Sequence, residues 1–158
     1  MATNAETAYE SFHASEGQTE GTGDWFAVTQ EQVNQFADVT LDHQFIHVDP
    51  EAAAGTPFGG TIAHGFLTLS MLTHLTASIP QDMSRFTGIL MGVNYGFEKV
   101  RFISPVPTGS NIRATSVLSK VEMKDPNTIN VTRTVTVEIE GQDKPACVAD
   151  WITRLVYG

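Results

Sequence analysis

Residues Asp42–Leu75 read DHQFIHVDPEAAAGTPFGGTIAHGFLTLSMLTHL, and the second half of this stretch decides the fold. From Ala52 to Gln81 the chain has no Asp, Glu, Lys or Arg. A surface helix carries a charged face, so this segment reads as a helix that is apolar nearly all round and buried. Thr61 to Ser78 gives a rod of about 27 Å at about 1.5 Å per residue, enough to span a small domain. Two histidines and several hydroxyls interrupt its apolar runs, which makes it a core helix and not a membrane span.

Downstream the period changes. Leu90 to Phe102, Ile112 to Met123, Thr128 to Ile139 and Ala146 to Tyr157 read as strands. The third alternates most cleanly: Ile129, Val131, Val135, Val137 and Ile139 share one face, with Arg133 as the exception. Gly109-Ser110, Asp125-Pro126-Asn127 and Gly141-Gln142-Asp143 are turn signals between them. Connections this short favour antiparallel neighbours. Helices first and long strands after imply an α+β domain, one sheet packed on one buried helix. A sheet of about five strands covering one helix leaves open edges. Pairing edges across a two-fold axis is a common solution, so a homodimer is expected.

Upstream, Trp25 to Val28 reads as a short strand. Thr29 looks like an N-cap with Gln32 three residues on, and Val33, Phe36 and Ala37 carry helical spacing to about Asp38. Asp49-Pro50-Glu51 is a second helix start, Asp capping and Pro at the first position, ending near Gly55. Thr56 to Gly60 is a loop. Residues 1–22 are polar and are expected to be an extended or partly disordered arm. Residues 23–158 are expected to form one domain.

Composition narrows the function. The chain has 158 residues and a formal net charge of −9, with only nine Lys and Arg, which disfavours nucleic acid as a partner. The single cysteine, Cys147, rules out an internal disulfide framework and suggests a reducing compartment. Its plain reading is a small buried apolar group. The N-terminus lacks a basic region followed by an apolar run, so no signal peptide is expected and the location expected is cytoplasmic.

The most suggestive titratable pair is Asp42 and His47. Five positions on a regular helix rotate about 140°, so the two converge only if the segment is a loop or a broken turn. A carboxylate beside an imidazole is a common acid–base device, because His titrates near neutrality and the carboxylate orients it. A capping Asp and a half-buried His is the competing reading. Gly65 disfavours a helix interior by about 1 kcal/mol relative to Ala. If the helix begins near Ala63 or His64, the Gly65 N–H is an unpaired donor at its positive end, suited to a developing oxyanion. The alternative is that Gly65 allows close packing against the sheet. His43, His47, His64 and His74 with Asp49 offer metal ligands, but there is no HExxH and no cysteine pair, so no metal is expected. His43 reads as solvated and His74 as a core or interface group. Ser70 lies outside any G-x-S-x-G elbow, and no phosphate loop occurs.

Asp42-x-x-x-x-His47, Val48-Asp49-Pro50 and Ile62-Ala63-His64-Gly65 together resemble the MaoC-like (R)-specific enoyl-CoA hydratases, the hydratase 2 family. The wording is most similar to its nodulation-protein-N-like branch, and Asn94 to Ala114 is similar to the family's strand and turn after the central helix. The resemblance implies a hot-dog fold, a long helix wrapped by an antiparallel sheet and usually dimeric. It implies reversible addition of water to trans-2-enoyl thioesters in fatty acid metabolism, with coenzyme A as the usual carrier and no redox or metal cofactor. By position it makes Asp42 and His47 the catalytic pair, Gly65 N–H the oxyanion donor, and Thr73 the hydroxyl that supports it where the family has serine. Phe45 departs from the proline many members carry. An apolar tail needs an apolar pocket, with Phe58, Ile62 and Phe66 as lining. Lys99, Arg101 or Arg113 are candidates for the coenzyme's phosphates. A hot-dog thioesterase, using a carboxylate and water on the thioester itself, and a non-catalytic acyl-binding module are the alternatives.

Overall fold

The computed structural model describes residues 1–158. In chain order the elements are α1 (Asn4–His13), β1 (Thr19–Thr22), β2 (Phe26–Ala27), α2 (Gln30–Thr40), α3 (Phe45–Val48) and α4 (Pro50–Ala54). There follow α5 (Gly65–Ser70), α6 (Leu72–Thr76), a 3₁₀ turn at Met83–Phe86, and four long strands. These are β3 (Ile89–Phe102), β4 (Asn111–Asp125), β5 (Thr128–Ile139) and β6 (Cys147–Tyr157). They form one six-stranded antiparallel sheet in the order β1-β4-β5-β6-β3, with β2 also pairing β4. The four strands lie where the alternation places them.

The central rod is shorter than the sequence suggests. Thr61–His64 is extended, and Ile62 bridges Pro107. Ile62 N–H bonds the Ile46 carbonyl of α3 and Ala63 N–H bonds the Val106 carbonyl in the loop after β3, so the segment is a strap between the two and cannot also wind as helix. The helix begins at Gly65 and is interrupted at Met71, whose N–H is shared between the Leu67 and Thr68 carbonyls. Hydroxyls flank the break: Ser70 Oγ donates to the Phe66 carbonyl and Thr76 Oγ1 to the Leu72 carbonyl, a bonding pattern that bends helices. Nor is the rod buried all round. Leu67, Leu72 and Leu75 face the sheet, while Phe66 is 68% exposed and Thr73 and His74 are exposed too. The missing charge does not mark burial here; it leaves an uncharged face open.

The concave face of the sheet holds two apolar clusters. Val33, Ala63, Leu67, Leu72, Leu75, Ile112, Val135, Val137 and Ala149 lie under α2, α5 and α6. Leu118, Val121, Ile129, Val131, Leu155 and Tyr157 lie under α1, which contributes Ala5, Ala8 and Phe12. The first 22 residues are therefore not an arm. Thr3 and Glu6 form a full capping box, and Ala5, Ala8 and Phe12 repeat at i, i+3, i+7. Burying a large apolar side chain of this kind contributes about 1.5–3 kcal/mol.

Arg133, the exception in the β5 pattern, lies on this same face. Its Nε donates to Glu20 Oε2 at 2.8 Å, and Glu20 also accepts from Ser116 Oγ. Its guanidinium stands 5.7 Å from the Phe12 ring centroid. The charge is tolerated inside because it is paired, hydrogen-bonded and roofed by an aromatic face.

The opposite edge is open. β3 pairs only β6, and Leu90, Met91, Val93, Tyr95, Phe97 and Phe102 along it are all exposed. No helix is long and apolar enough to cross a membrane.

Candidate active site

α2 ends on Leu41, which has φ 64, the one left-handed residue that is not glycine. A β-carbon in that region costs roughly 1–2 kcal/mol, and here it turns the chain so that Asp42 leaves the helix sideways. The single turn of α3 then carries His47, and Asp49 caps α4 by accepting from Ala52 N–H at 3.0 Å. Because the segment is a turn followed by a broken helix, Asp42 and His47 point the same way. Their side-chain oxygen and nitrogen atoms, together with a nitrogen of His64, all lie within 4.8 Å of one another.

His47 is buried, and its Nδ1 lies 2.7 Å from the Ile62 carbonyl. A carbonyl can only accept, so Nδ1 carries the proton and Nε2 keeps its lone pair. The extended strap that shortens the central helix is what presents that carbonyl. Burial pushes the His47 pKa below its ordinary value, and the neighbouring His64 ring pushes the same way. The Ile62 hydrogen bond and the Asp42 carboxylate oppose both without cancelling them. Asp42 is 51% exposed on its side chain.

His47 opens on a cleft of about 280 Å³ lined by Ile62, Gly65, Thr68, Phe102, Ile103 and Val106 among others. The first backbone bonds of α5 are Leu67 and Thr68 N–H to the His64 carbonyl, which leaves the Gly65 amide unpaired at the cleft. A β-carbon on Gly65 would stand 3.1 Å from the Phe102 ring. The Gly65 backbone N–H has no partner, and the missing side chain lets an aromatic ring close the wall.

Not every candidate falls here. Ile62 lines the cleft. Phe66 points outward with an edge contact to Phe102, and Phe58 is half exposed in its loop, so Phe102, not either of these, forms the aromatic wall. Thr73 lies past the Met71 break, beside Asn94 and Trp151 in a separate groove. The hydroxyls at the cleft belong to Thr68, one turn after Gly65, and to Ser104; helical spacing from Gly65 was the available signal for Thr68. Lys99 and Arg101 flank a second cleft that shares Ile103 with the first. Arg113 is committed elsewhere, paired with Glu138 and stacked 4.2 Å over Trp25. His43 binds exposed Asp38, and His74 meets the Phe26 ring edge-on. Cys147 is buried, and burial pushes its thiol up to about 11.

The Asp42, His47 and His64 donors suggest a metal centre by proximity alone. Two of the imidazole nitrogens are already turned to carbonyls, His47 Nδ1 to Ile62 and His64 Nε2 to Asp42. That donor set fits a hydrogen-bonded acid–base pair better than a closed coordination shell.

A sheet wrapped on a short helix defines a hot-dog protein, and Asp42, His47 and the unpaired Gly65 amide make its candidate site. Sequence comparison narrows the class: residues 11–140 match the MaoC like domain, and the chain belongs to that family. It is 52% identical over 143 residues to "3-hydroxyacyl-thioester dehydratase Z" of Mycobacterium tuberculosis, covering 90% of this chain and 92% of that one. It is 51% identical over 137 residues to "Nodulation protein N" of Rhizobium meliloti, covering 86% and 83%. Among solved structures, the "(R)-hydratase from A. caviae involved in PHA biosynthesis" superposes with TM-score 0.68 at 22% identity, covering 87% of this chain and 94% of that one. A second neighbour, a monoamine oxidase regulatory protein from Archaeoglobus, superposes with TM-score 0.71.

Proposed function

We propose that this protein is a hydro-lyase that adds water reversibly to trans-2-enoyl thioesters, giving (R)-3-hydroxyacyl thioesters. The observation that carries the reading is that Asp42 lies against His47, and that His47 shares its cleft with the unpaired Gly65 amide. The relatives bear dehydratase and hydratase names, which supports the same chemistry.

In the hydration direction a water sits between the Asp42 carboxylate and His47 Nε2. Nε2 takes one proton as the water oxygen bonds to C3. The C2=C3 electron pair moves toward the thioester carbonyl, and Gly65 N–H holds the charge that develops on its oxygen. The pair then returns a proton to C2, so one water is consumed and no redox or metal cofactor is called for. A thioesterase would direct the water at C1 instead. The test is spectrophotometric: crotonyl-CoA loses its enoyl absorbance and chiral analysis gives the (R)-alcohol. Free thiol released with the absorbance intact would favour the thioesterase.

The base function requires neutral His47. Its pKa lies below the ordinary 6.5 because burial disfavours the cation. The acid limb of hydration kcat/KM should therefore be centred below pH 6.5. An acid limb centred at or above 6.5 counts against His47 as the base.

Lys99 and Arg101 flank a cleft that shares Ile103 with the His47 cleft, which supports them as candidates for the phosphates of coenzyme A. Changing both to Gln should raise KM for a CoA thioester about fivefold, on the order of 1 kcal/mol, with kcat nearly constant. An unchanged KM at low salt removes them from the binding site. The open β3 edge, with its row of exposed apolar side chains, supports a homodimer formed by edge pairing. Sedimentation at micromolar concentration should give twice the 17.2 kDa chain mass; a monomer alone would end this part of the proposal. A cytoplasmic location belongs to the same reading and rests on the lone, unpaired Cys147.

A further inference from the structure

We infer that His64 is a positioning residue for the hydration, tying the backbone of Asp42 to the ring of His47 and so setting the separation of the catalytic pair; the inference rests on the reaction proposed above.

His64 is 3% exposed and precedes the first residue of α5. Its Nε2 lies 3.0 Å from the Asp42 carbonyl, so Nε2 bears the proton and donates. The same nitrogen is 3.9 Å from the Asp42 carboxylate. Its ring stacks on His47 with centroids 3.8 Å apart and planes inclined by 24°. Phe36 packs against it from α2 at 4.9 Å. One imidazole thus touches both members of the pair, through its face and its N–H. Nδ1 is buried without a partner.

A buried acceptor left unmatched disfavours the fold. A phenyl ring would fill the same space and stack on the same face without that cost. What the imidazole adds is the N–H that holds the Asp42 carbonyl. Little else restrains Asp42. It follows the left-handed Leu41, its side chain is half exposed, and its only other bond is a long one from Gln44 N–H at 3.4 Å. A reacting group displaced by about 1 Å can cost about 10²-fold in rate, so this tether bears on turnover and not on substrate affinity.

The experiment compares His64→Phe, which keeps the stacked ring, with His64→Gln, which keeps an N–H donor. In His64→Phe, hydration kcat should fall about 30-fold or more while KM stays within about twofold. His64→Gln should recover at least about a third of that loss. In an Asp42→Asn background the same His64→Phe change should cost less than about threefold, since the carboxylate it positions is gone. A second readout needs no turnover. Asp42 raises the His47 pKa, so Asp42→Asn should lower the His47 NMR titration midpoint; in His64→Phe that response should shrink by at least about half. Asp42 and His64 are the charged or titratable neighbours acting on the His47 ring. If His64→Phe keeps kcat within threefold, if its effect persists undiminished without the Asp42 carboxylate, or if the midpoint response is unchanged, His64 is only a packing residue. Should the wild type hydrate no enoyl thioester, the reaction assignment fails alone, and the NMR comparison still decides the geometry. If His64→Phe does not fold, the same NMR comparison on His64→Gln decides: its Asp42 response should remain near wild type, and losing it overturns the inference.

Discussion

Asp42→Asn and His47→Gln should each lower kcat/KM for hydration of a short trans-2-enoyl thioester by about 10³-fold or more, with the fold intact. A positioned acid or base contributes about 10²–10⁴-fold, and here both groups act on one water. Asparagine matches the shape of Asp42 but takes no proton. Its effect on stability should be small, because the Asp42 side chain is half exposed and weakly bonded. Glutamine at 47 gives up the short bond to the Ile62 carbonyl, at a stability cost of about 1–2 kcal/mol, which circular dichroism and thermal unfolding should separate from the loss of rate. The double variant should be scarcely slower than either single one, since residues that act as a unit are not additive. Either variant keeping more than about a tenth of wild-type turnover removes that residue from the chemistry.

The pair was legible because its two residues fall between the helix that ends near Asp38 and the one that Asp49-Pro50 starts, where no regular helix is expected to hold them apart. What was not legible is the device that joins them. The strap Thr61–His64 reads as helix, since nothing in its composition announces that Ile62 and Ala63 bond to carbonyls 16 and 43 positions away. Tertiary hydrogen bonds overrode local pattern, and the Ile62 carbonyl they expose is what fixes the His47 tautomer. His64 was visible only as part of a motif; its contact with Asp42 depends on the left-handed turn at Leu41, a conformation that a leucine gives no reason to expect.

Strands β4, β5 and β6 followed their alternation almost to the residue because each has one face on an apolar cluster, and a slip by one position would turn every inward side chain outward. Arg133 shows the limit of that argument. It obeys the period and breaks the chemistry, and only the presence of Glu20 on β1 and Phe12 on α1 explains it. Likewise an uncharged helix implies burial only if the chain folds alone; the open faces of Phe66 and of β3 suit a surface that a second protomer covers.

The N-terminal helix offers the sharpest contrast between composition and structure, and Phe12→Ala tests it. Phe12 is fully buried, with Phe86 edge-on at 6.3 Å and the Arg85 guanidinium 4.7 Å above its ring. Truncation should remove about 3–5 kcal/mol, the lost transfer energy plus the cavity left behind. In a chain of this length that corresponds to a fall in Tm of about 10 °C. Part of the effect should come through charge. The Glu20–Arg133 pair lies against the same ring, and Arg85 binds Ser11 and Ser15 on and just past α1, so loosening this helix wets two buried guanidinium groups at once. The catalytic cleft lies under the other cluster, and kcat at low temperature should stay within about twofold of wild type. A detachable polar arm would behave differently: the substitution would shift Tm by less than about 2 °C, and that result would return residues 1–22 to the surface. The alanine at position 8, buried on the same face of α1, supplies the control. Ala8→Asp forces a charge between α1 and β4 and should destabilise by a similar amount through desolvation instead of a cavity, so the pair of variants distinguishes a docked helix from one that merely touches the sheet.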